Sequence, residues 1–530
     1  MKKSILITIV LSVFTAYISF AQIPDETFSS DGVAGPLPAA FGSFTGEQQS
    51  IALQADGKMI IAGYYKFEDE STSFAAMRLN ADGSIDNTFG SLGIKIINFD
   101  NDSYASLVLI QPDGKIILAG SKGGPGQHDM VITRLESNSA PDLTFGVQTF
   151  HFGGEHSYYN YFSSLALQSD GKILAGGHGG NNLDDDGLVL MRFNTDGTLD
   201  AGFSGDGIVY ELDFNGYSAE SCAVQADGKI LTVAAKNHAL SVNGVLRYNS
   251  DGTIDESFGA LGFTEIIVMS DNRGNSLALQ PDGKIVVVGN GYVWTGFNPG
   301  PAKWTISRLN TDGTFDNSFG TGGIKSIDFG TVERPDAVEA TGVLILPSGR
   351  ILVGGYMFDN VNTHSKVYRL TSTGAIDQNF GDQGSYALSY MGIGGMVLQT
   401  DGKFVFSTVG SGSSAHLNRL ILKRRPLVTC PSNITVDHEP NKCTASVSFS
   451  ATGTGDPEPT VVYKIGNNVI TSPYNFSVGV TTVNVTASNE IGPDATCSFT
   501  VTVRDVDPPS ITNESPSVYI LSPANHTMQN

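Results

Sequence analysis

The sequence predicts an all-β protein in two parts, a closed ring of repeated four-stranded sheets followed by a β-sandwich. Three observations predict it. Only 16% of the 530 residues are charged, and glycine occurs 62 times; an average chain carries about 25% charged residues. Two short motifs recur in fixed order along most of the chain. After "LKRRP" (422–426) they stop, and strict alternation of apolar and polar residues takes over.

Residues 1–21 read as a secretory signal: Lys2 and Lys3, an apolar run, then Ser19 and Ala21 at positions −3 and −1 of a cleavage site. No Cys follows that site, which argues against a lipoprotein. No later apolar run is long enough to span a bilayer, so no transmembrane segment is expected after cleavage. The formal charge is −22 and becomes −24 without the signal lysines. A nucleic-acid partner needs a basic face, and only "LKRRP", read as a solvated linker, is locally basic. Nucleic-acid binding is therefore excluded from the expected functions.

The first motif is a hairpin. "LQADGKMIIAG" (53–63), "IQPDGKIILAG" (110–120), "LQSDGKILAGG" (167–177), "VQADGKILTVA" (224–234), "LQPDGKIVVVG" (279–289), "LPSGRILVGG" (346–355) and "LQTDGKFVFST" (398–408) place its glycine at 57, 114, 171, 228, 283, 349 and 402. Alternating apolar residues enter an Asp-Gly turn and β-branched residues leave it. The glycine supplies the positive φ that a tight turn demands.

The second motif follows about twenty residues later: "RLNADGSIDNTFG" (78–90), "RLESNSAPDLTFG" (134–146), "RFNTDGTLDAGFS" (192–204), "RYNSDGTIDESFG" (247–259), "RLNTDGTFDNSFG" (308–320) and "RLTSTGAIDQNFG" (369–381). A three-residue loop at Ala81-Asp82-Gly83 sets Arg78 opposite Asp86, and facing side chains on neighbouring strands can pair. The same count pairs Arg134 with Asp142, Arg192 with Asp200, Arg247 with Asp255, Arg308 with Asp316 and Arg369 with Asp377. A clamp repeated this evenly is read as structural.

A seventh Arg-Leu, Arg419-Leu420, has no D-x-x-F after it. The missing half stands at the other end of the chain as Asp25 and Phe28, in "IPDETFSSDG" (23–32). Pairing Arg419 with Asp25 closes a ring. An open solenoid would leave exposed strand edges, which invite aggregation. The expectation is a seven-bladed β-propeller over 22–425, closed by a blade shared between the chain ends.

The paired motifs, D-G-K then R-L-N-x-D-G-x-x-D-x-x-F-G, resemble the delta-60 repeat family of extracellular β-propellers. The resemblance implies a secreted scaffold and carries over no catalytic residues. N-x-D-G-x-x-D also invites comparison with an EF-hand, but its first and twelfth ligand positions fall on Arg78 and Phe89. No metal and no cofactor are expected.

Residues 426–509 alternate strictly, as an immunoglobulin-like β-sandwich does. "CPSNITV", "FSVGVTTV" and "CSFTVTVRDVDPP" are similar to a hyalin repeat (HYR) domain, which implies an extracellular adhesion or spacer module. Of its three cysteines, Cys443 with Cys497 is the expected disulfide and Cys430 with Cys497 the rival. Cys222 reads as a buried thiol. Residues 510–530 read as a tail or an incomplete further module.

Alternating strand directions put both turn motifs at one end of the ring. Length variation falls at the other, in "GYYKFEDESTS" (63–73), "GGHGGNNLDDDG" (176–187), "NGYVWTGFNPGPAK" (290–303) and "GYMFDNVNTHSK" (355–366). Binding residues favour variable loops on a rigid frame. Tyr64, Tyr65, His178, Asp184, Asp186, Tyr292, Trp294 and Tyr356 are the candidate ligand-binding residues, with Trp304 and Asp185 beside them; His151, Glu155 and His156 form a separate polar cluster without a recognised metal-ligand spacing. No G-x-S-x-G, H-E-x-x-H or Walker pattern occurs in a supporting context.

The expected function is a non-catalytic binding or adhesion protein, secreted or at the cell surface, with an extracellular glycan or protein as partner. The alternatives are a carbohydrate-active enzyme, whose two carboxylates come from different blades, or a purely architectural surface protein. The sequence leaves the oligomeric state open.

Overall fold

The computed structural model describes residues 25, 27–29, 33–35, 37–38, 40–42, 50–99, 101–123, 128–152, 160–180, 187–211, 219–236, 242–268, 271–295, 298–329, 338–358, 363–388, 391–409, 415–422, 424–440, 442–456, 458–489, 494–507, 511–515 and 518–521. Among them there is no helix. The chain divides into two units, residues 1–420 and 421–530.

In the first unit each repeat becomes an antiparallel sheet whose strands follow chain order. In the second repeat these are Ser103–Ile110, Ile116–Lys122, Asp129–Leu135 and Val147–Phe150. Seven such sheets form among the described residues of this unit. Their first strands touch in a closed circle: Ile51–Leu53, Ser103–Ile110, Tyr161–Leu167, Ser221–Val224, Asp271–Leu279, Val338–Ile345, Met391–Leu398 and back to Ile51–Leu53. The seventh sheet takes its fourth strand from the start of the chain, where Val33 and Ala34 pair with Asn418 and Leu417.

The second motif makes more than a hairpin. Leu79 bridges Ile85, and Asp86 N–H donates to the Arg78 carbonyl, as the three-residue loop requires. The chain then leaves the ladder, and the fourth strand is instead Ile94–Ile97. The irregular piece between them carries Phe89. This ring is fully buried among Ala105, Val108, Ile116 and Leu118 of the following sheet. Apolar burial on this scale, about 2–3 kcal/mol for one phenylalanine, joins each sheet to the next. Phe145, Phe203, Phe258 and Phe319 repeat the arrangement, and Phe28 does so against the first sheet.

The Arg–Asp pair holds that piece in place. Arg78 Nε lies 2.7 Å from Asp86 Oδ2, and Lys58 of the D-G-K turn lies 2.8 Å from the same oxygen. The Arg78 guanidinium sits 4.7 Å from the Phe89 ring centre, within cation–π range, and donates to the Ser137 carbonyl in the next sheet's turn. The corresponding Nε–Oδ2 distances are 2.7 Å for Arg134–Asp142, 2.6 Å for Arg192–Asp200 and 2.7 Å for Arg247–Asp255. They are 2.8 Å for Arg308–Asp316, 2.9 Å for Arg369–Asp377 and 2.8 Å for Arg419–Asp25. At the ring closure Arg419 stacks 4.5 Å above Phe28, and Lys403 reaches Asp25.

The turn glycine meets two demands at once. Gly252 has φ of 88°, and a Cβ there would stand 3.0 Å from the Phe203 ring of the preceding sheet. The second repeat puts Ser139 at this position with φ of 74°, and its hydroxyl accepts from Gly90 N–H.

In the second unit one five-stranded sheet runs Ile434–Asp437, Ala495–Arg504, Gly479–Ser488, Thr460–Ile465 and Asn468–Ile470, its first pair parallel. Thr444–Val447 pairs with Tyr474–Ser477 to face it. Ala445, Val447 and Phe476 pack against Val483, Val485, Phe499 and Val501, the core of a sandwich. Part of the segment read as a linker is strand: Arg424–Thr429 pairs with Thr452–Asp456. Ile511–Ser515 and Val518–Leu521 form a hairpin.

The disulfide joins Cys430 to Cys497, with Cα atoms 5.9 Å apart, so the expected Cys443–Cys497 pair is corrected. Cys443 leads into Thr444–Val447 in the facing layer and is exposed, whereas the strand ending before Cys430 runs beside Ala495–Arg504. A cross-link over 67 residues stabilises the fold by about 4 kcal/mol in the chain-entropy picture. Cys222 is buried, and burial pushes its thiol up to about 11.

Two outcomes are expected. Burial pushes the Asp86 carboxyl up, but hydrogen bonds from Lys58 and Thr88 and the Arg78 charge outweigh it. They hold Asp86 well below the usual carboxylate range, and the same balance lowers Asp142, Asp255 and Asp316. An unfolded Asp titrates near ~3.9, so between that value and the lowered folded values the unfolded chain binds more protons and stability rises with pH. The unfolding midpoint should stay level from about pH 7 to 5 and drop below about pH 4. Asp316→Asn should cost about 3 kcal/mol at neutral pH, since it leaves the buried Arg308 and the half-buried Lys284 against a neutral amide. Thermal unfolding across pH checks both. Second, alkylation of the native protein should label Cys443 alone. Unfolding without reductant should add Cys222, and only reduction should release Cys430 and Cys497. Peptide mass spectrometry reads the order.

Candidate functional site

The two ends of the ring differ in what their polar groups already do. At the turn end the carboxylates serve their own backbone: Asp82 Oδ1 accepts from Ser84 N–H at 3.0 Å and Ser84 Oγ at 2.7 Å. These bonds lower the Asp82 carboxyl. Asp196, Asp251 and Asp312 repeat them with a threonine. An open cleft of about 640 Å³ lies here between the fourth and fifth sheets. Arg247 and Lys229 on its wall are tied to Asp255 by the clamp.

At the opposite end the variable segments are mostly not loops. Met59–Lys66 pairs with Thr72–Leu79 up to Lys66 and Thr72, leaving a turn at 67–71. In the fifth sheet Ile285–Thr295 and Asn298–Leu309 form one long hairpin, with Tyr292 opposite Ala302 and Trp294 opposite Pro299. Ile351–Phe358 and Thr363–Leu370 pair to Phe358 and Thr363. The insertions lengthen the second and third strands because their alternating, aromatic-rich residues continue the ladder.

This end carries a belt of polar aromatics at matched register. Tyr104 faces Ser121, Tyr161 faces His178 and Glu339 faces Tyr356, each pair joining the first and second strands of its sheet. Tyr64 takes the same second-strand place in the first sheet, and its ring meets Tyr104 edge-on at 5.4 Å. His178 is buried and stacks on half-buried Tyr161 at 5.7 Å with the rings 17° apart. The Tyr356 hydroxyl donates to Glu339 Oε2. Tyr104, Tyr161 and Glu339 escaped the sequence reading. Each stands ten residues before a D-G-K-type glycine, an offset that would have found them.

The belt rests on a first strand that bulges two residues deeper, at Ser106, Ser163, Asn275 and Thr341. These side chains donate to the next sheet's first strand or the residues leading into it: Ser106 to Phe162 O, Ser163 to Ala219 O, Asn275 to Ala340 O and Thr341 to Ile393 O, at 3.4, 2.9, 2.9 and 2.7 Å. The inner rim is thus hydrogen-bonded sheet to sheet, with the bulge freeing one side chain in each.

The other candidates separate. Tyr65 points away from Tyr64, as strand neighbours must, and packs on Phe67 and the first core. Trp304 is fully buried against Phe329 and Tyr368 and donates to Tyr356 O, so it is core. His151 is exposed beside Asp129, with Nδ1 2.8 Å from the carboxylate. Asp184, Asp185, Asp186, Glu155 and His156 lie outside the described residues, as do the side chains of Tyr292 and Trp294. Among the described residues no helix is long and apolar enough to cross a membrane.

A ring of repeated antiparallel sheets followed by a sandwich defines a β-propeller protein with an appended immunoglobulin-like module. Residues 54–89, 111–145, 168–203, 225–258, 280–319 and 346–380 match "Domain of unknown function (DUF5122) beta-propeller", and residues 423–503 match the HYR domain. The chain carries DUF5122 propeller repeats of the delta-60 type followed by an HYR domain. Among solved structures it is similar to polysaccharide lyase Uly1 at 12% identity and TM-score 0.42, over 71% of this chain and 90% of that one. Drosophila Semaphorin 2a matches at 8% identity and TM-score 0.42, over 89% and 98%. The Pseudomonas aeruginosa periplasmic gluconolactonase PpgL matches at 11% and TM-score 0.38, over 68% and 94%. At these scores none bears on activity. Propeller repeats with an HYR domain fit a binding or adhesion role, and that domain with its disulfide is compatible with a secreted protein.

Gly355 tests how tightly the belt is built. A Cβ there would meet Glu339 O at 2.1 Å and the Trp304 ring at 2.7 Å. Gly355→Ala should cost about 1–3 kcal/mol, as overpacking does. It should also shift the emission of the buried tryptophan, read by denaturant unfolding followed through fluorescence.

Proposed function

We propose that the protein is secreted and acts as a non-catalytic binding or adhesion protein, its propeller recognising an extracellular glycan or protein at the end opposite the turns. The HYR domain serves as adhesion or spacer module. One observation supports this reading above the others. The clamp occupies the polar groups of the turn end, while the other end presents half-buried Tyr64, Tyr104, Tyr161 and Tyr356 with the Glu339 carboxylate. Tyrosines combine a flat apolar face with a hydroxyl at little conformational cost, which suits both sugar rings and protein surfaces.

The full chain should retain ligands on glycan arrays or cell-surface and extracellular-protein panels. Tyr64→Ala and Tyr104→Ala should weaken retention at least about tenfold, the loss expected when a central aromatic contact is removed. Their unfolding midpoints should stay within a few degrees of the parent. Retention unchanged in both variants, or no retention by the parent on any panel, would remove the reading. Turnover of a polysaccharide by the parent would replace it with a catalytic one.

A further inference from the structure

The second unit, residues 421–530, holds a further cluster of metal-ligating side chains. Two strands of its larger sheet run parallel and stop together: Ile434–Asp437 beside Ala495–Arg504, with Asp437 opposite Arg504. The next residues along each chain are His438 and Asp505, followed by Asp507, so the parallel pairing itself brings them to one place. His438 N–H donates to the Arg504 carbonyl at 3.1 Å and fixes that meeting.

The imidazole is held as a metal ligand is held. Its Nδ1 lies 2.8 Å from the Glu439 carbonyl oxygen, so Nδ1 carries a proton and donates it, and in the neutral imidazole the lone pair falls on Nε2. The side chain is only 2% exposed, and Nε2 has no hydrogen-bond partner. It is aimed between two carboxylates: Asp505 Oδ1 at 3.5 Å and Asp507 Oδ2 at 3.4 Å. Asp507 N–H in turn donates to Asp505 Oδ1 at 3.2 Å and orients that carboxylate. Asp505 is buried and Asp507 half in solvent, so the cluster opens to water on one side.

The spacing decides between two readings. A direct ion pair between imidazolium and carboxylate closes to about 2.7–2.9 Å. Ligands bound tetrahedrally at ~2.1 Å from a common centre stand about 3.4 Å apart, and zinc takes imidazole nitrogen and carboxylate oxygen at that length. Among the described residues Arg504 pairs with Asp437 at 2.8 Å and Lys442 with Glu439 at 2.6 Å.

We propose that His438, Asp505 and Asp507 bind a divalent cation of zinc-like preference, three protein ligands with the fourth position open to water. The ion joins the ends of the first and last strands of the larger sheet and neutralises two adjacent carboxylates.

The full chain, stripped with a chelator and dialysed, is titrated with zinc chloride by calorimetry and then with cobalt(II), whose visible absorption reports tetrahedral geometry. One equivalent should bind with a tetrahedral cobalt spectrum, and zinc should raise the unfolding midpoint of the HYR transition. Asp507→Asn changes an exposed side chain and should keep the fold, checked by its midpoint in chelator. It should weaken this binding at least about tenfold, and His438→Gln should abolish it. No uptake at millimolar zinc, or equal uptake by parent and both variants, overturns the proposal. So does a destabilised Asp507→Asn whose parent is indifferent to zinc, because that result marks a plain ion pair.

Discussion

The first unit depends on one buried contact repeated around a circle: an arginine held by an aspartate over a phenylalanine that belongs to the neighbouring sheet's core. An isolated sheet of four strands buries only one face well. The phenylalanine gives each sheet a reason to have a neighbour, and the guanidinium fixes where that neighbour's turn must sit. Buried ion pairs contribute little net stability by themselves, because desolvation offsets the attraction. Their value here lies in orientation. A flat, five-donor fork can meet the Asp86 carboxylate, the Ser137 carbonyl and the Phe89 face together, which a lysine could not.

That contact sits at one end of every sheet, and it leaves the other end free to vary. Turn geometry, carboxylate occupancy and glycine placement are all committed where the clamp lies. The far ends of the second and third strands need only continue their ladder, so they grow or shrink without disturbing the ring. The inner bulge hydroxyls set the limit of that freedom, since they tie first strands together just below the polar belt. Variation of the surface and rigidity of its base are therefore separate properties of the same strands.

Much of this architecture can be read from spacing. The offsets of eleven from Arg78 to Phe89 and eight from Arg78 to Asp86 encode the clamp, because a three-residue loop fixes which positions face. The split last repeat announces the pairing of Asp25 with Arg419. Other features leave no trace at that level. A lengthened hairpin and a loop insertion look alike when both are rich in Gly, Asn and aromatic residues, which is why 290–303 reads as a loop. Trp304 and Tyr64 both belong to such segments, yet strand parity buries one and leaves the other at the rim. Cys430 follows one strand and Cys443 precedes another, and only the layer each strand joins decides which meets Cys497. The fourth strand, Ile94–Ile97, begins well beyond the residue that faces Arg78, because the piece carrying Phe89 serves as a plug.

The shared blade imposes an order of events on assembly. Asp25 and Phe28 leave the ribosome among the earliest residues of the folded body, but Arg419, Lys403 and Leu417 arrive almost four hundred residues later. Until then the first sheet lacks the seventh as its neighbour, and Asp25, Phe28, Val33 and Ala34 have nowhere to dock. Closing so long a loop adds only modest entropy beyond closing a short one, so the delay is a matter of waiting rather than of driving force. The earliest part of the body to be synthesised is the last to find its place, and a chain cut short before Arg419 would carry every earlier sheet without ever becoming a ring.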